Sequence, residues 1–187
     1  MTGITIDTLK RSLASDLDRA FPDLVRMLQD DIYSGALRLT GSRSDAEDIA
    51  QEAFVRAYRA LSGYPAARIR NLQLQGWMWT IALNLCRNRA RSRSRKPETA
   101  LPVGFDPAAP SAGPEQIVLE REGRERLGAQ VAGLPWSQRQ AVVLRHVVGL
   151  GYAEIADVLE RPVGTVKADV HRALARLRHL VSPEEAS

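Results

Sequence analysis

Apolar positions along this chain recur at intervals of three and four, and strand-like alternation is weak throughout, so an all-α fold is expected. A first helix is predicted over Asp23 to Leu39, with Pro22 near its start and Gly41 at its end. Ser44-Asp45-Ala46-Glu47 reads as a capping box, in which the Ser hydroxyl and the Glu carboxylate each satisfy a free backbone N–H. The helix it opens is expected to run to about Leu61 and stop at Gly63-Tyr64-Pro65. A third helix covers roughly Leu74 to Arg93. Further on, helical patterns run to about Val131, from Ser137 to Val148, from Tyr152 to Leu159, and from Gly164 to about Val181. Gly133-Leu134-Pro135, Gly149-Leu150-Gly151 and Glu160-Arg161-Pro162-Val163 break them.

Between these two groups of helices lies KPETALPVGFDPAAPSAGP, residues 96–114, with prolines at 97, 102, 107, 110 and 114. Proline lacks the donor that helices and central strands need and fixes φ. This segment is expected to be a flexible linker, able to reach roughly 60 Å at about 3.3 Å per residue. The predicted organisation is therefore two small helical domains, residues 1–95 and 115–187, joined by a Pro-rich tether.

Charge changes that picture. The net charge of +4 is modest for 187 residues, but it is unevenly placed. Residues 67–97 hold eight basic side chains and no acid, while residues 98–126 hold six acids against three arginines. A concentrated basic patch attracts polyanions far better than a diffuse one. The single cysteine, Cys86, sits in an apolar run and reads as a core residue. One Cys and three scattered His give no metal-ligand spacing, so neither metal nor cofactor is expected. No clustered acid–base pair suggests an enzyme. The first 18 residues lack the apolar core of a secretory signal, and no uncharged run is long enough to cross a bilayer. A cytoplasmic location is the expectation.

YAEIADVL–ERPV–GTVKADVHRALARLR has helix-turn-helix spacing. On its last helix Val166, Val170, Leu174 and Leu177 form one inward stripe. That turns Thr165, Ala168 and Arg172 outward, with Lys167, Asp169, His171 and Arg176 on the flanks. Small and basic side chains near a helix N-terminus suit entry into the DNA major groove. Thr165 and the free N–H groups there can bind a phosphate. Asp169 opposes a phosphate-binding role. Accepting from a cytosine amino group and pairing with a neighbouring arginine are both open to it, and His171 can face either bases or solvent.

In the first domain, Ala46, Ile49, Ala50, Ala53, Phe54 and Ala57 make an inward stripe. Opposite them lie Asp48, Gln51, Glu52, Val55 and Arg59. A valine amid charges hints at a partner surface, although a solvated face would also carry such charges. The segment WMWTIALNLCRNRARSRSRK, residues 77–96, joins two tryptophans to a run of arginines. As a helix it places Trp77, Asn84, Asn88 and Arg91 on one stripe, flanked by Thr80 and Arg87. Met78, Ala82, Leu85 and Cys86 lie away from it, with Leu83 and Trp79 on the far side. An aromatic ring, two amides and several arginines are what holding unpaired bases requires. Buried tryptophans with capping amides are the plainer alternative.

Taken together, DAEDIAQEAFVRAY, GWMWTIALNLCRNRARSR and the segment LPWSQRQ…RALARLR resemble, in this order, the extracytoplasmic-function (ECF, group IV) sigma factors of bacterial RNA polymerase. The resemblance covers roughly residues 20–181 and implies a sigma region 2 bundle and a sigma region 4 helix-turn-helix. It implies that Asp48, Gln51, Glu52 and Val55 meet the β′ clamp helices of core polymerase. It implies that Trp77, Thr80, Asn84, Arg87, Asn88 and Arg91 read and open the −10 element. Region 4 would read the −35 element through Thr165, Lys167, Ala168, Asp169, His171, Arg172 and Arg176, and would touch the β flap. An anti-sigma partner and a chain monomeric when free of polymerase are further implications. Two departures stand out: Ala168 and Asp169 stand where many relatives place Arg or Ser, and the Gly63–Gly76 loop is too variable to transfer a base identity. A dimeric helix-turn-helix repressor would explain residues 134–181 but leave the first domain idle. An interaction protein that does not bind DNA would not need such basic faces.

Overall fold

The computed structural model describes residues 5–95 and 126–181, and the side chains among them except those of 93–95 and 179–181. The predicted linker lies outside the described residues. Among the described residues every regular element is a helix. These are α1 (Ile6–Ser15), α2 (Leu17–Thr40), α3 (Arg43–Ser62), α4 (Ala66–Arg70), α5 (Leu74–Arg95), α6 (residues 126–132), α7 (Trp136–His146), α8 (Tyr152–Leu159) and α9 (Val163–Val181).

The boundaries follow from local chemistry, and several differ from expectation. α1 was not expected. Thr5 caps it by accepting from Thr8 N–H, and Leu9 and Leu13 bury its inner face. α2 begins six residues earlier than predicted, because Asp16 Oδ1 accepts from Arg19 N–H at 3.1 Å. Pro22 therefore sits inside the helix rather than at its start. α2 ends at Gly41, whose φ of 68° is the left-handed conformation that suits a glycine C-cap. The cap of α3 is Ser42, not Ser44: Ser42 Oγ accepts from Asp45 N–H at 3.3 Å, and Ser44 lies within the first turn. Serine is equally apt at both positions, so composition alone could not separate them. The Gly63–Gly76 loop contains the short α4, which buries Ile69.

In the N-terminal bundle α2 packs on α1, α3 and α5, α3 packs on α5, and α1 covers α4. Trp79 is its largest fully buried side chain, together with Leu24, Ile32, Met78 and Leu83. Gly35 makes room for it: a Cβ on Gly35 would lie 2.2 Å from Trp79 Cη2. The C-terminal unit closes α7, α8 and α9 around Ala141, Leu144, Leu150, Ile155, Val166 and Val170.

The two units also meet. α8 lies on α5 and α7 on α2. Gln75 Nε2 donates to Val148 O at 3.3 Å, and Arg139 Nη1 donates to Leu39 O at 3.0 Å. Leu39 lies in the last turn of α2, where carbonyls have no partner within the helix. The same guanidinium also donates to Ala132 O and Leu134 O. Burial lowers the Arg139 pKa from its ordinary value.

Candidate functional site

Three surfaces carry the candidate residues. The first is a groove between α3 and α5, lined by Asp48, Gln51, Glu52, Val55, Asn88 and Arg89 among others. The inward alanines of α3 allow close approach to α5, which leaves the opposite polar face along the groove edge. Asp48, Gln51 and Val55 are exposed, and Val55 retains 43% of its surface. Tyr58, one turn on, retains 38%. Arg89 links the two helices, its Nη2 bonding Asp48 Oδ2 at 2.7 Å and its Nε lying 3.1 Å from Asp45 Oδ1. Glu52 pairs with Arg56 at 2.7 Å. The groove is thus a rim of ion-paired acids and arginines with two amides, Gln51 and Asn88, around an exposed valine. Asn88, one residue of the Trp77 stripe, is exposed and also borders this groove.

The second surface is the outer face of the first half of α5. Trp77 is half-buried, whereas Trp79 is 1% exposed, as expected for opposite sides of one helix. The Trp77 ring lies 6.0 Å from that of Tyr64 at a 57° tilt, and Arg68 stacks over Tyr64 at 3.7 Å. Arg68, Tyr64 and Trp77 therefore form one contiguous cluster, with a guanidinium over the Tyr64 face and the Trp77 ring tilted against Tyr64, an aromatic and cationic surface of the kind that meets bases. Tyr64 and Arg68 were not singled out from the sequence. Their only signal was the Arg- and Pro-rich character of the loop. Thr80 Oγ1 donates to Gly76 O at 3.1 Å, and Asn84 Oδ1 accepts from Arg87 at 3.2 Å. Asn84 and Arg91 are exposed and Arg87 is half-buried. Trp77 and Thr80 also share a cleft with Glu154, Asp157 and Val158 of α8.

The third surface is α9. Val166, Val170 and Leu177 are buried as the stripe predicts, while Leu174 is half-buried. Lys167, His171, Arg172 and Arg176 are exposed, and Thr165 and Ala168 half-buried. Asp169 corrects the expectation of an exposed flank, being only 2% exposed. The left-handed turn at Glu160 (φ 53°, ψ 48°) swings Arg161 back to the face of α9. There its Nη1 lies 2.7 Å from Asp169 Oδ2, and Arg172 Nη2 bonds Asp169 Oδ1 at 2.6 Å. Of the two roles open to this carboxylate, pairing with arginine is the one observed. Among the described residues no group of His, Cys, Asp and Glu could hold a metal, and no helix is long and apolar enough to cross a membrane.

Comparison with known proteins fits this arrangement. The family described as sigma-70 region 2 matches residues 24–96, and that described as sigma-70 region 4 matches residues 124–177. The chain belongs to the sigma-70 family, within its ECF branch, a family of transcription factors rather than enzymes. It is 33% identical over 180 residues to the ECF RNA polymerase sigma factor SigW of Bacillus subtilis, covering 91% of this chain and 92% of that one. It is 36% identical over 160 residues to the ECF sigma factor SigE of Mycolicibacterium smegmatis, covering 85% of this chain but only 60% of that longer relative. Among solved structures, CnrH in complex with the cytosolic domain of CnrY superimposes with a TM-score of 0.70 at 26% identity, over 95% of this chain and 97% of CnrH.

Proposed function

We propose that this protein directs core RNA polymerase to promoters by dividing the work among the three surfaces. The α3–α5 groove, with Asp48, Gln51, Glu52 and Val55, docks on the β′ clamp helices. The Trp77 platform, with Thr80, Asn84, Arg87, Asn88 and Arg91, holds the separated strands of the −10 element. The exposed face of α9, with Thr165, Lys167, Ala168, His171, Arg172 and Arg176, enters the major groove at −35, and region 4 meets the β flap. No bond is made or broken; the energy of strand separation is offset by stacking and phosphate contacts. The observation that carries this reading is the Arg68–Tyr64–Trp77 cluster, whose Trp77 lies on an arginine-rich helix, on the same chain as a helix-turn-helix with a basic exposed face.

An anti-sigma protein is a further expected partner, in keeping with the likeness to CnrH bound to a cytosolic domain of another chain. The protein is expected to be monomeric away from polymerase and to act where polymerase acts, in the cytoplasm. The test is capture of core polymerase by the purified chain, followed by run-off transcription on a pool of −35/−10 templates. A stoichiometric complex that starts at a defined subset supports the reading. Tight binding of a palindromic duplex by the chain alone, with no polymerase complex, would replace it with a repressor.

A further inference from the structure

The ion cluster at the start of the helix-turn-helix recognition helix is built from both sides of the turn. Arg161 comes from the turn and Arg172 from the third turn of α9, and one carboxylate holds both. The Asp169 side chain is 3% exposed, while those of Arg161 and Arg172 are 29% and 55% exposed. The anion is thus sealed in and the two cations face out. A guanidinium has five donors, and one from each arginine is spent on Asp169. The Arg172 contact is an aligned hydrogen bond, whereas the Arg161 contact is an ion pair without that alignment. The cluster keeps one net positive charge.

We infer that Arg161 is a phosphate contact at the −35 element, and that Asp169 is a positioning residue that holds Arg161 and Arg172 as a preformed pair without touching DNA. The inference rests on the reading of α9 as the −35 helix. A free arginine loses rotamer freedom when it binds, and an arginine already held in place loses less. Asp169 also explains how an acid can stand on a DNA-facing helix. Its charge is sunk beneath two guanidiniums, so the surface that DNA meets is cationic. Arg172, on the outward face of α9, is left to reach base edges, where a guanidinium discriminates by bidentate bonding. Arg161, on the turn before the helix, is left to the backbone, and its contribution is the same for every base sequence.

The test uses the full chain assembled with core polymerase on its own promoter, with affinity measured across a salt series and across single-base variants of the −35 element. Arg161→Ala is expected to weaken binding about tenfold, equally for all −35 variants, and to lower the log–log salt slope by about one, as expected for a lost phosphate contact. Asp169→Asn is expected to weaken binding several-fold with the slope unchanged, because no cation is lost, and to reduce the discrimination among −35 bases. The sign of this second effect is decisive. If Asp169 merely stood near DNA, removing its negative charge would strengthen binding. Stronger binding by Asp169→Asn, or a wild-type salt slope in Arg161→Ala, overturns the inference. So does a loss in either variant that only tracks a fall in Tm and in polymerase affinity, since that marks a purely structural ion pair. A wild-type holoenzyme indifferent to every −35 base change would instead defeat the underlying assignment of α9.

Discussion

Asp48 on α3 accepts a 2.7 Å hydrogen bond from Arg89 on α5, and Arg89 reaches Asp45 as well. The groove edge is therefore braced before any partner arrives. Asp48 is two-thirds exposed, and exposed pairs of this kind contribute about 0–1 kcal/mol. Asp48→Ala leaves Arg89 with Asp45, and Gln51→Ala removes a solvent-facing amide. Both variants are expected to melt within a few degrees of wild type and to bind core polymerase roughly tenfold more weakly, a loss of about 1.4 kcal/mol. Competition for core polymerase against a labelled sigma factor, beside thermal melts, measures both. Unchanged affinity in both variants would remove the groove from the polymerase interface.

Trp77 and Trp79 are two residues apart and face opposite environments. Trp79 fills the centre of the bundle against Gly35, so Trp79→Ala is expected to cost about 3–5 kcal/mol of stability. Trp77 is half-buried, its ring tilted against that of Tyr64. Its replacement by alanine is expected to cost much less stability but to suppress −10 opening, read by permanganate reactivity of unpaired thymines in the holoenzyme complex. Trp77→Phe, which keeps a stacking ring, is expected to recover part of the opening. Equal opening by Trp77→Ala and wild type would reject the platform.

The split between these tryptophans was legible in the sequence because helical periodicity fixes which side chains share a face. The same logic correctly separated the buried valines of α9 from its exposed basic residues. It failed at Asp169, because a carboxylate at a flank position looks exposed until Arg161 is folded back over it by the left-handed turn at Glu160. It also missed the Tyr64–Arg68 stack, which depends on a five-residue helix too short to show a period. Nothing in the helical periodicity of α2 marks Gly35. Its necessity comes from an indole 44 residues away, a relationship that local pattern does not contain.

Cys86 is fully buried on α5, and burial, with a smaller push from the Asp45 charge, raises its thiol pKa to about 12. In the unfolded chain the thiol would ionise near its ordinary value of about 8.5. Below that value both states hold the proton and stability is unaffected by this group. Between the two values only the folded state holds it, so stability falls as pH rises, by up to about 1.4 kcal/mol per pH unit. Denaturant melts at pH 8 and pH 10 are expected to show this loss, and Cys86→Ala is expected to flatten it. A Cys86→Ala profile as steep as wild type would assign the loss to other groups. In the native state at pH 8, Cys86 is expected to resist a thiol reagent that labels it at once in guanidinium.

The contact between the two units leads to a final expectation. Elements named −10 and −35 lie about 25 base pairs apart, roughly 85 Å of duplex at about 3.4 Å per pair. With α8 resting on α5 and sharing a cleft with Trp77 and Thr80, the two surfaces proposed to read these elements sit on units in direct contact, an arrangement not expected to span that distance. Part of the surface proposed for the −10 element also faces α8 across that cleft. On the proposed assignment of these surfaces, the chain is expected to open at this contact when it engages a promoter. A Cβ on Gly76 would lie 3.6 Å from Val158 Cγ2, so the two positions are in direct contact and Gly76→Cys, Val158→Cys is the pair to test for a bridge. Cys86 is sealed in the core and does not compete for the new thiols. The oxidised double variant is expected to lose promoter-directed transcription at least tenfold, and reduction by a thiol is expected to restore it. Each single variant is expected to be insensitive to oxidation, which controls for damage elsewhere. Full run-off activity with the bridge demonstrably formed would mean that the two units stay together on DNA, and that the −10 and −35 surfaces assigned here cannot both be right.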